Sequence, residues 1–293
     1  MYNLDETALV LEGGGLRGIY TSAVLDYFIE KQLEFPYVVG VSAGAIMAAS
    51  YLSKQKERNL RINTTYLQDK RYMSLRNLIK EGYYFSKEFA YRTIPNQLEP
   101  FDYNTFYEGN FIYKVGTFDC VEGMNVYTNL KEVYNNEKFL DTLMASGSLP
   151  FLSKTVNIDN NLYLDGGLGE AIPIYESIKD KNKKHIVILT RDSSYRKKEK
   201  QDSKLSRLLY KKYPKVAEAI ITRGKRYNET LDFLEELEEK GQVFLIRPSK
   251  EVKVDRIETN PDKIRELYYQ GREDIKNNYE NLIKYLNKEN RSV

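Results

Sequence analysis

Residues 37–46 read YVVGVSAGAI, a passage that runs from apolar, β-branched residues straight into small helix-forming ones. Its centre, Gly40-Val41-Ser42-Ala43-Gly44, has the G-x-S-x-G spacing that sets a serine on a sharp strand-to-helix turn. That turn needs a strand before it, a helix after it, and glycines where neighbouring backbone comes close. The chain is thereby committed to an α/β arrangement with Ser42 at the carboxyl end of a strand. A serine so placed is usually activated by a base, most often histidine. The chain contains a single histidine, His185, so the source of the base is the first question.

The flanking sequence extends the α/β pattern. Thr7–Leu11 is short and apolar and reads as a buried strand, Gly13-Gly14-Gly15 follows, and residues 16–33 carry apolar positions near helical spacing. Tyr37–Val41 reads as a second buried strand and residues 43–53 as a small-residue helix. Strand–helix–strand–helix order predicts a parallel sheet. Residues 54–110 are crowded with aromatics, which serve either as core or as a lid or acyl-chain wall. Residues 111–118 and 124–128 read as a strand pair turning at Gly123, and 137–146 as a helix. Leu162–Leu164 reads as a short strand before Asp165, and 185–190 and 242–246 as buried strands. Charged periodic segments predict helices over 203–223, 226–240 and 261–288. The expected architecture is a three-layer α/β/α fold with a mostly parallel central sheet over residues 7–190. A mostly helical C-terminal extension with one further strand is expected over 191–293.

Composition narrows the function classes. With 293 residues, 41% hydrophobic and 30% charged, the chain reads as soluble and globular, and no apolar run approaches the roughly 20 residues of a membrane span. Residues 1–6 lack the basic and apolar regions of a signal peptide, and the lone Cys120 excludes an internal disulfide framework. A cytoplasmic protein without a metal site is expected. A net charge of +3 does not imply a nucleic-acid partner. Its distribution is uneven, with thirteen Lys/Arg against four Asp/Glu between Arg191 and Arg226. That stretch reads either as a solvated helical face or as a surface for peripheral contact with an anionic membrane.

The stretch LEGGGLRG, residues 11–18, contains Gly13-x-Gly15-x-x-Gly18 after a strand and before a helix. A dinucleotide fingerprint would also need an acidic residue at the end of the next strand. That strand ends in Gly40-Val41-Ser42 instead. As an oxyanion loop the same glycines present N–H groups without side-chain obstruction, and such donors are worth about 3–4 kcal/mol in the transition state. For the base, His185 reads as an exposed residue opening its strand, after the lysine-rich run 179–184. Asp165 ends a short strand and precedes two glycines, so its carboxylate can reach an open site. Alone, Asp-Gly-Gly is also a common turn. In a desolvated pocket a carboxylate becomes a stronger base.

In this order and spacing, Gly13–Gly18, Gly40–Gly44 and Asp165-Gly166-Gly167 resemble the patatin-like phospholipase family. The stretch ASGSLP, residues 145–150, is similar to a block that family carries between nucleophile and aspartate. The resemblance spans roughly residues 7–175. It implies a Ser–Asp dyad without histidine, with Ser42 as nucleophile, Asp165 as base and Gly13, Gly14 and Gly15 as oxyanion hole. Gly18, Gly40, Gly44, Gly166 and Gly167 are implied as motif support, lipid acyl esters as substrates, and no cofactor; Arg17 either supports the glycine loop or meets a phosphate headgroup, and its position in the motif favours support. Family members often carry an Asn two residues before a Pro after the Asp-Gly-Gly, where Gly169-Glu170-Ala171-Ile172-Pro173 stands here. The same dyad also serves an acyltransferase or a low-turnover lipid-binding regulator.

Overall fold

The computed structural model describes residues 4–199 and 203–288. Residues 1–3 of the amino-terminal stretch, and Lys200 and Asp202 of the basic stretch, lie outside the described residues. The strands are β1 (Thr7–Leu11), β2 (Tyr37–Val41), β3 (Ile112–Asp119), β4 (Met124–Asn129), β5 (Val156–Ile158), β6 (Asn161–Asp165), β7 (Lys184–Ile188) and β8 (Val243–Ile246). They form one sheet whose pairings run β5-β6-β3-β2-β1-β7-β8, with β4 also on β3. Strands β3, β2, β1, β7 and β8 pair in parallel. The helices that matter below are α1 (Gly18–Glu30), α2 (Ala43–Leu52), α3 (Arg58–Thr65), α4 (Leu75–Lys80), α5 (Tyr103–Glu108), α6 (Asn136–Ser146), α7 (Ile174–Lys179), α8 (Lys204–Leu209), α9 (Pro214–Glu239) and α10 (Pro261–Asn287).

Strand β1 is buried throughout and apolar after Thr7 because helices cover both faces of the sheet, as parallel sheets require. Side chains alternate along it. Leu9 and Leu11 join the core that holds Ile19 of α1 and Ile264 and Leu267 of α10, whereas Ala8 and Val10 pack with Tyr227, Leu231 and Leu234 of α9. The region after residue 190 thus contributes β8 to the same sheet and one long helix to each face. Close approach of α10 is possible because Gly271 meets Ala23, where a Cβ would lie 2.9 Å from the alanine methyl.

Strand β3 has three partners and two edges. β2 pairs with Ile112–Gly116, β4 with Lys114–Asp119 and β6 with Thr117–Asp119. Since β4 overlaps both of the others, β2 and β6 share the opposite edge. They run toward each other along it and meet end to end.

Several expected boundaries shift for identifiable reasons. The helices expected over 203–223 and 226–240 are instead α8 and one 26-residue α9. Pro214 starts α9 at the position where a missing N–H costs nothing. Gly224 lies inside that helix because a Cβ there would sit 2.6 Å from the Lys198 carbonyl. Within 54–110, residues 89–98 form a π-helical segment around Pro95, whose missing N–H disfavours ordinary α-helical pairing.

Candidate active site

Ser42 follows β2 and precedes α2 with φ 55° and ψ −125°, a backbone state that costs a non-glycine residue about 1–3 kcal/mol. The surroundings hold it there. The Ser42 N–H donates to Ser146 Oγ at 2.7 Å, and the Ser146 hydroxyl donates to the Gly116 carbonyl at 2.7 Å. Gly44 lets α2 pass under β1, where a Cβ would stand 2.5 Å from the Leu11 carbonyl oxygen.

Asp165 ends β6 and is 1% exposed. The Ser42 hydroxyl donates to its Oδ2 at 2.7 Å, and the Gly167 N–H donates to Oδ1 at 2.7 Å. One carboxylate oxygen is therefore anchored on backbone while the other faces the serine. The Asp165 N–H donates to the Ser148 carbonyl at 2.9 Å. The ASGSLP block thus grips both residues, through Ser146 at the serine and Ser148 at the aspartate. Neither was assigned a role from the sequence, although the block itself was noticed. A Cβ at Gly166 would lie 2.3 Å from the Gly116 carbonyl oxygen, so only glycine fits between β6 and β3.

His185 is not the exposed residue expected from its lysine-rich neighbourhood. It is fully buried on β7, with its Nδ1 2.9 Å from the Ser177 hydroxyl. Burial lowers its pKa to about 4. In the register, Ala8 faces both Tyr37 and His185. The histidine is therefore level with the start of β2, about 16 Å along the strand from Ser42 at 3.3 Å per residue.

The glycine loop after β1 reaches over Ser42. A Cβ at Gly13 would be 3.0 Å from the Ser42 Cβ. The Gly13 N–H donates to the Ala171 carbonyl at 2.9 Å, which corrects its expected place among the oxyanion donors. Gly14 abuts Thr190, and Gly15, at φ +61°, abuts Arg256. Glu12, which sequence reasoning passed over, ties this loop to two other elements. Its carboxylate accepts the Thr190 N–H at 2.5 Å and hydroxyl at 3.1 Å, and the Tyr227 hydroxyl at 2.8 Å. Where the family often has Asn, the neighbouring Glu170 braces the loop by accepting from the Tyr127 hydroxyl at 2.6 Å and the Tyr175 N–H at 2.9 Å.

An apolar cavity of about 130 Å³, partly open to solvent, begins at Ser42, Gly15 and Leu16 and is walled by Ile46, Phe85, Tyr91, Ile94 and Phe139. The aromatic stretch 54–110 supplies both buried core and part of the cavity wall. Phe89, Ile94, Phe101 and Phe106 are buried core, and Phe85, Tyr91 and Ile94 also line the cavity.

The basic stretch divides into two parts. Lys204, Lys211, Lys212 and Lys215 are exposed. Arg191, Lys197 and Arg223 are partly buried and turn toward the glycine loop, where they join Arg17 and Arg256. Burial, then neighbouring Arg191 and Arg256, lower the Arg17 pKa to about 10. Burial, then Arg223 and Arg256, lower that of Lys197 to about 6. Burial and Arg256 lower that of Arg223 to about 10. Arg17 was expected to support the loop, but its side chain makes no hydrogen bond to it among the described residues, and its buried Nε has no partner.

Comparison with known proteins bears on what these elements are. Residues 213–287 match a domain of unknown function (DUF6363). The chain is 25% identical over 272 residues to an uncharacterized protein, YjjU, of Escherichia coli (strain K12), covering 90% of this chain and 74% of that one. It is 27% identical over 224 residues to the probable lipid hydrolase 463L of Invertebrate iridescent virus 6, covering 68% and 75% respectively. Among solved structures, VipD from Legionella pneumophila aligns with 94% of this chain and 67% of its own at a TM-score of 0.48 and 12% identity. Residues 9–178, more than half of the chain, match the model of the patatin-like phospholipases, and this protein belongs to that family.

Proposed function

We propose that this lipid ester hydrolase works through a Ser42–Asp165 dyad and an acyl-enzyme. The observation that carries the reading is the 2.7 Å hydrogen bond from Ser42 Oγ to Asp165 Oδ2, inside a site where the two residues are 6% and 1% exposed. As Oγ attacks an ester carbonyl, its proton passes to Asp165 Oδ2. The N–H groups of Gly14 and Gly15 are the donors the loop can offer the oxyanion. The alkoxide leaving group takes the proton back, and the acyl group stays on Ser42 with its chain along the apolar cavity. Water then attacks, giving its proton to Asp165, which passes it to Ser42 Oγ as the acyl–Oγ bond breaks and the fatty acid leaves. The scheme uses no metal or cofactor. Residues 7–190 form the acyl-hydrolase unit in this reading, and 191–293 the addition that finishes its rim.

The substrate reaches the site from a lipid surface. Helix α8 exposes Leu205, Leu208 and Leu209 at 59, 72 and 58% beside Lys204, Lys211 and Lys212, the pattern of a short interfacial segment on an anionic membrane. Tyr210, just past α8, contacts Phe151, next to Pro150 and the cavity-lining Leu149. Among the described residues no helix is long and apolar enough to cross a membrane. We place the protein in the cytoplasm, docking peripherally.

A fluorophosphonate probe tests the reading. Labelling located at Ser42 by mass spectrometry, with free fatty acid released from a lysophospholipid, supports it. Labelling with acyl transfer to an added alcohol and no free acid points to a transacylase. No labelling of a folded protein overturns the dyad.

A further inference from the structure

We propose that Arg191, Lys197, Arg223 and Arg256 form, with Arg17, a subsite for the phosphate of a lipid headgroup, and that it selects acyl esters with a net anionic headgroup. This rests on the acyl-hydrolase reading above and adds its headgroup preference.

The placement is set by contacts. Arg256 crosses the glycine loop, its carbonyl accepting the Leu16 N–H at 3.1 Å and its Cγ lying 2.5 Å from where a Gly15 Cβ would be. Arg223 Nη2 lies 2.8 Å from where a Gly167 Cβ would be, and Asp165 Oδ1 lies 2.9 Å from that same point. The cluster therefore stands directly beside Asp165 and the loop that covers Ser42. Arg191 and Lys197 follow the carboxyl end of β7, the edge of a parallel sheet where ligands bind. Each rests on an aromatic face: Arg191 over Tyr195 at 4.6 Å and Lys197 Nζ over Tyr227 at 4.6 Å.

The charge there is balanced only in part from within: Glu12 faces Arg17 and Lys197, and Asp165 faces Arg223. Among the described residues none of these five basic side chains has a salt-bridge partner, and Lys197, its pKa lowered to about 6, is mostly neutral at pH 7 until an anion draws a proton to it. Glu12 is occupied by Thr190 and Tyr227, and Asp165 by Ser42 and Gly167. Buried Nε atoms of Arg17, Arg191 and Arg223 lack acceptors altogether. Buried guanidinium donors without acceptors are costly, and the Nη ends of Arg17 and Arg223, which donate to nothing among the described residues, are the groups a phosphate would engage. Burial first, and then Arg256 in every case, lower the Arg17, Lys197 and Arg223 pKa values, and Glu12 and Asp165 offset this only in part. A headgroup that carries its own ammonium brings a repelled cation into this field, whereas a phosphomonoester or phosphoglycerol does not. Four of the five basic side chains lie beyond residue 178, where the family match ends, so the selectivity belongs to this chain's C-terminal half.

The test uses the full chain and three soluble single-chain esters with the same acyl group: a lysophosphatidic acid, a lysophosphatidylcholine and a monoacylglycerol, each below its micelle threshold. Wild type is expected to favour the phosphomonoester over the monoacylglycerol in kcat/KM by tenfold or more, with the choline ester between. Arg256→Gln and Arg223→Gln should each cut that preference about tenfold to a hundredfold, the worth of one charged hydrogen bond. Arg223→Lys should keep more of it than Arg223→Gln. If a variant melts too early to assay, Lys197→Met replaces it and should lower the preference in the same direction. Calorimetry with glycerol 3-phosphate and inorganic phosphate on Ser42→Ala separates the sources. Glycerol 3-phosphate binding that weakens in Arg256→Gln supports a headgroup site even if no ester is turned over, which would sink the hydrolase reading alone. Inorganic phosphate binding with no preference among hydrolysed esters would mean a free-anion site and overturn the headgroup assignment. Equal kcat/KM for all three esters with no anion binding overturns the subsite outright.

Discussion

Val41 and Asp165 lie on one edge of one strand, opposite its consecutive residues Gly116 and Thr117. β2 runs up that edge and β6 runs down it, so the residue after Val41 and the last residue of β6 are delivered to the same point. This is how Ser42 and Asp165, 123 positions apart, come within 2.7 Å. β4 takes the other edge over the same residues and keeps the junction from slipping.

Ser42→Ala and Asp165→Asn should each lower ester hydrolysis about a thousandfold or more, and the double variant should be little worse than either, because the two residues act as one unit. Initial rates on a soluble ester, with melting temperature as the fold control, check this. Near wild-type turnover in Asp165→Asn would rule the base assignment out.

Ser146→Ala tests the elbow's support. The change removes the acceptor of the Ser42 N–H and the donor to the Gly116 carbonyl in a fully buried position. Unsatisfied buried groups cost about 1–3 kcal/mol each. The expected outcome is a lower melting temperature together with a fall in kcat at nearly unchanged KM. A fall in stability with full kcat would make Ser146 a packing residue only.

His185 should matter for acid stability and not for catalysis. Its folded pKa of about 4 lies below the unfolded value near 6.5. Above pH 6.5 both states are neutral and the group contributes no pH dependence. As pH falls from 6.5 toward 4, the unfolded chain takes up a proton that the folded one refuses, and stability drops by up to about 3 kcal/mol. His185→Gln should therefore lose less stability than wild type over that window in urea titrations, with turnover at pH 7.5 within about twofold. A collapse of turnover would return the histidine to the mechanism.

Docking should depend on both faces of the α8 segment. Leu205→Gln with Leu208→Gln should weaken binding to vesicles of any charge. Lys204→Gln, Lys211→Gln and Lys212→Gln together should weaken binding to anionic vesicles alone and remove its salt sensitivity, since exposed charges are screened over about 8–10 Å at physiological salt. Co-sedimentation at low and high salt reads both. Binding indifferent to either set would leave α8 as a solvated helix.

Local chemistry was legible in the chain because it is written in short windows. The elbow, the glycine loop and the Asp-Gly-Gly turn each need glycine within a residue or two of the group they present. The parallel sheet followed from apolar strands separated by periodic helices. Gly224 and Pro214 misled the helix boundaries because a glycine reads as a break unless one knows that Lys198 presses against it. What depended on long-range packing was not legible. His185 sits among lysines in sequence, yet β7 carries it beneath Ser177 and Tyr285 and strips it of water. The basic stretch reads as one run of charge, yet Lys204 and Lys212 face outward while Lys197 and Arg223 are partly buried, because the irregular segment at Lys197 is pinned to Asn228 of α9 and Arg223 is carried on that same helix. Ser146 and Ser148 acquire their roles only where β2, β3 and β6 converge, and Glu12 only where the end of β1 meets Thr190 and α9. The sequence by itself determined which groups the site contains; the tertiary structure decided which of their atoms meet, because hydrogen-bond partners 100 residues apart are chosen by strand register and not by spacing along the chain.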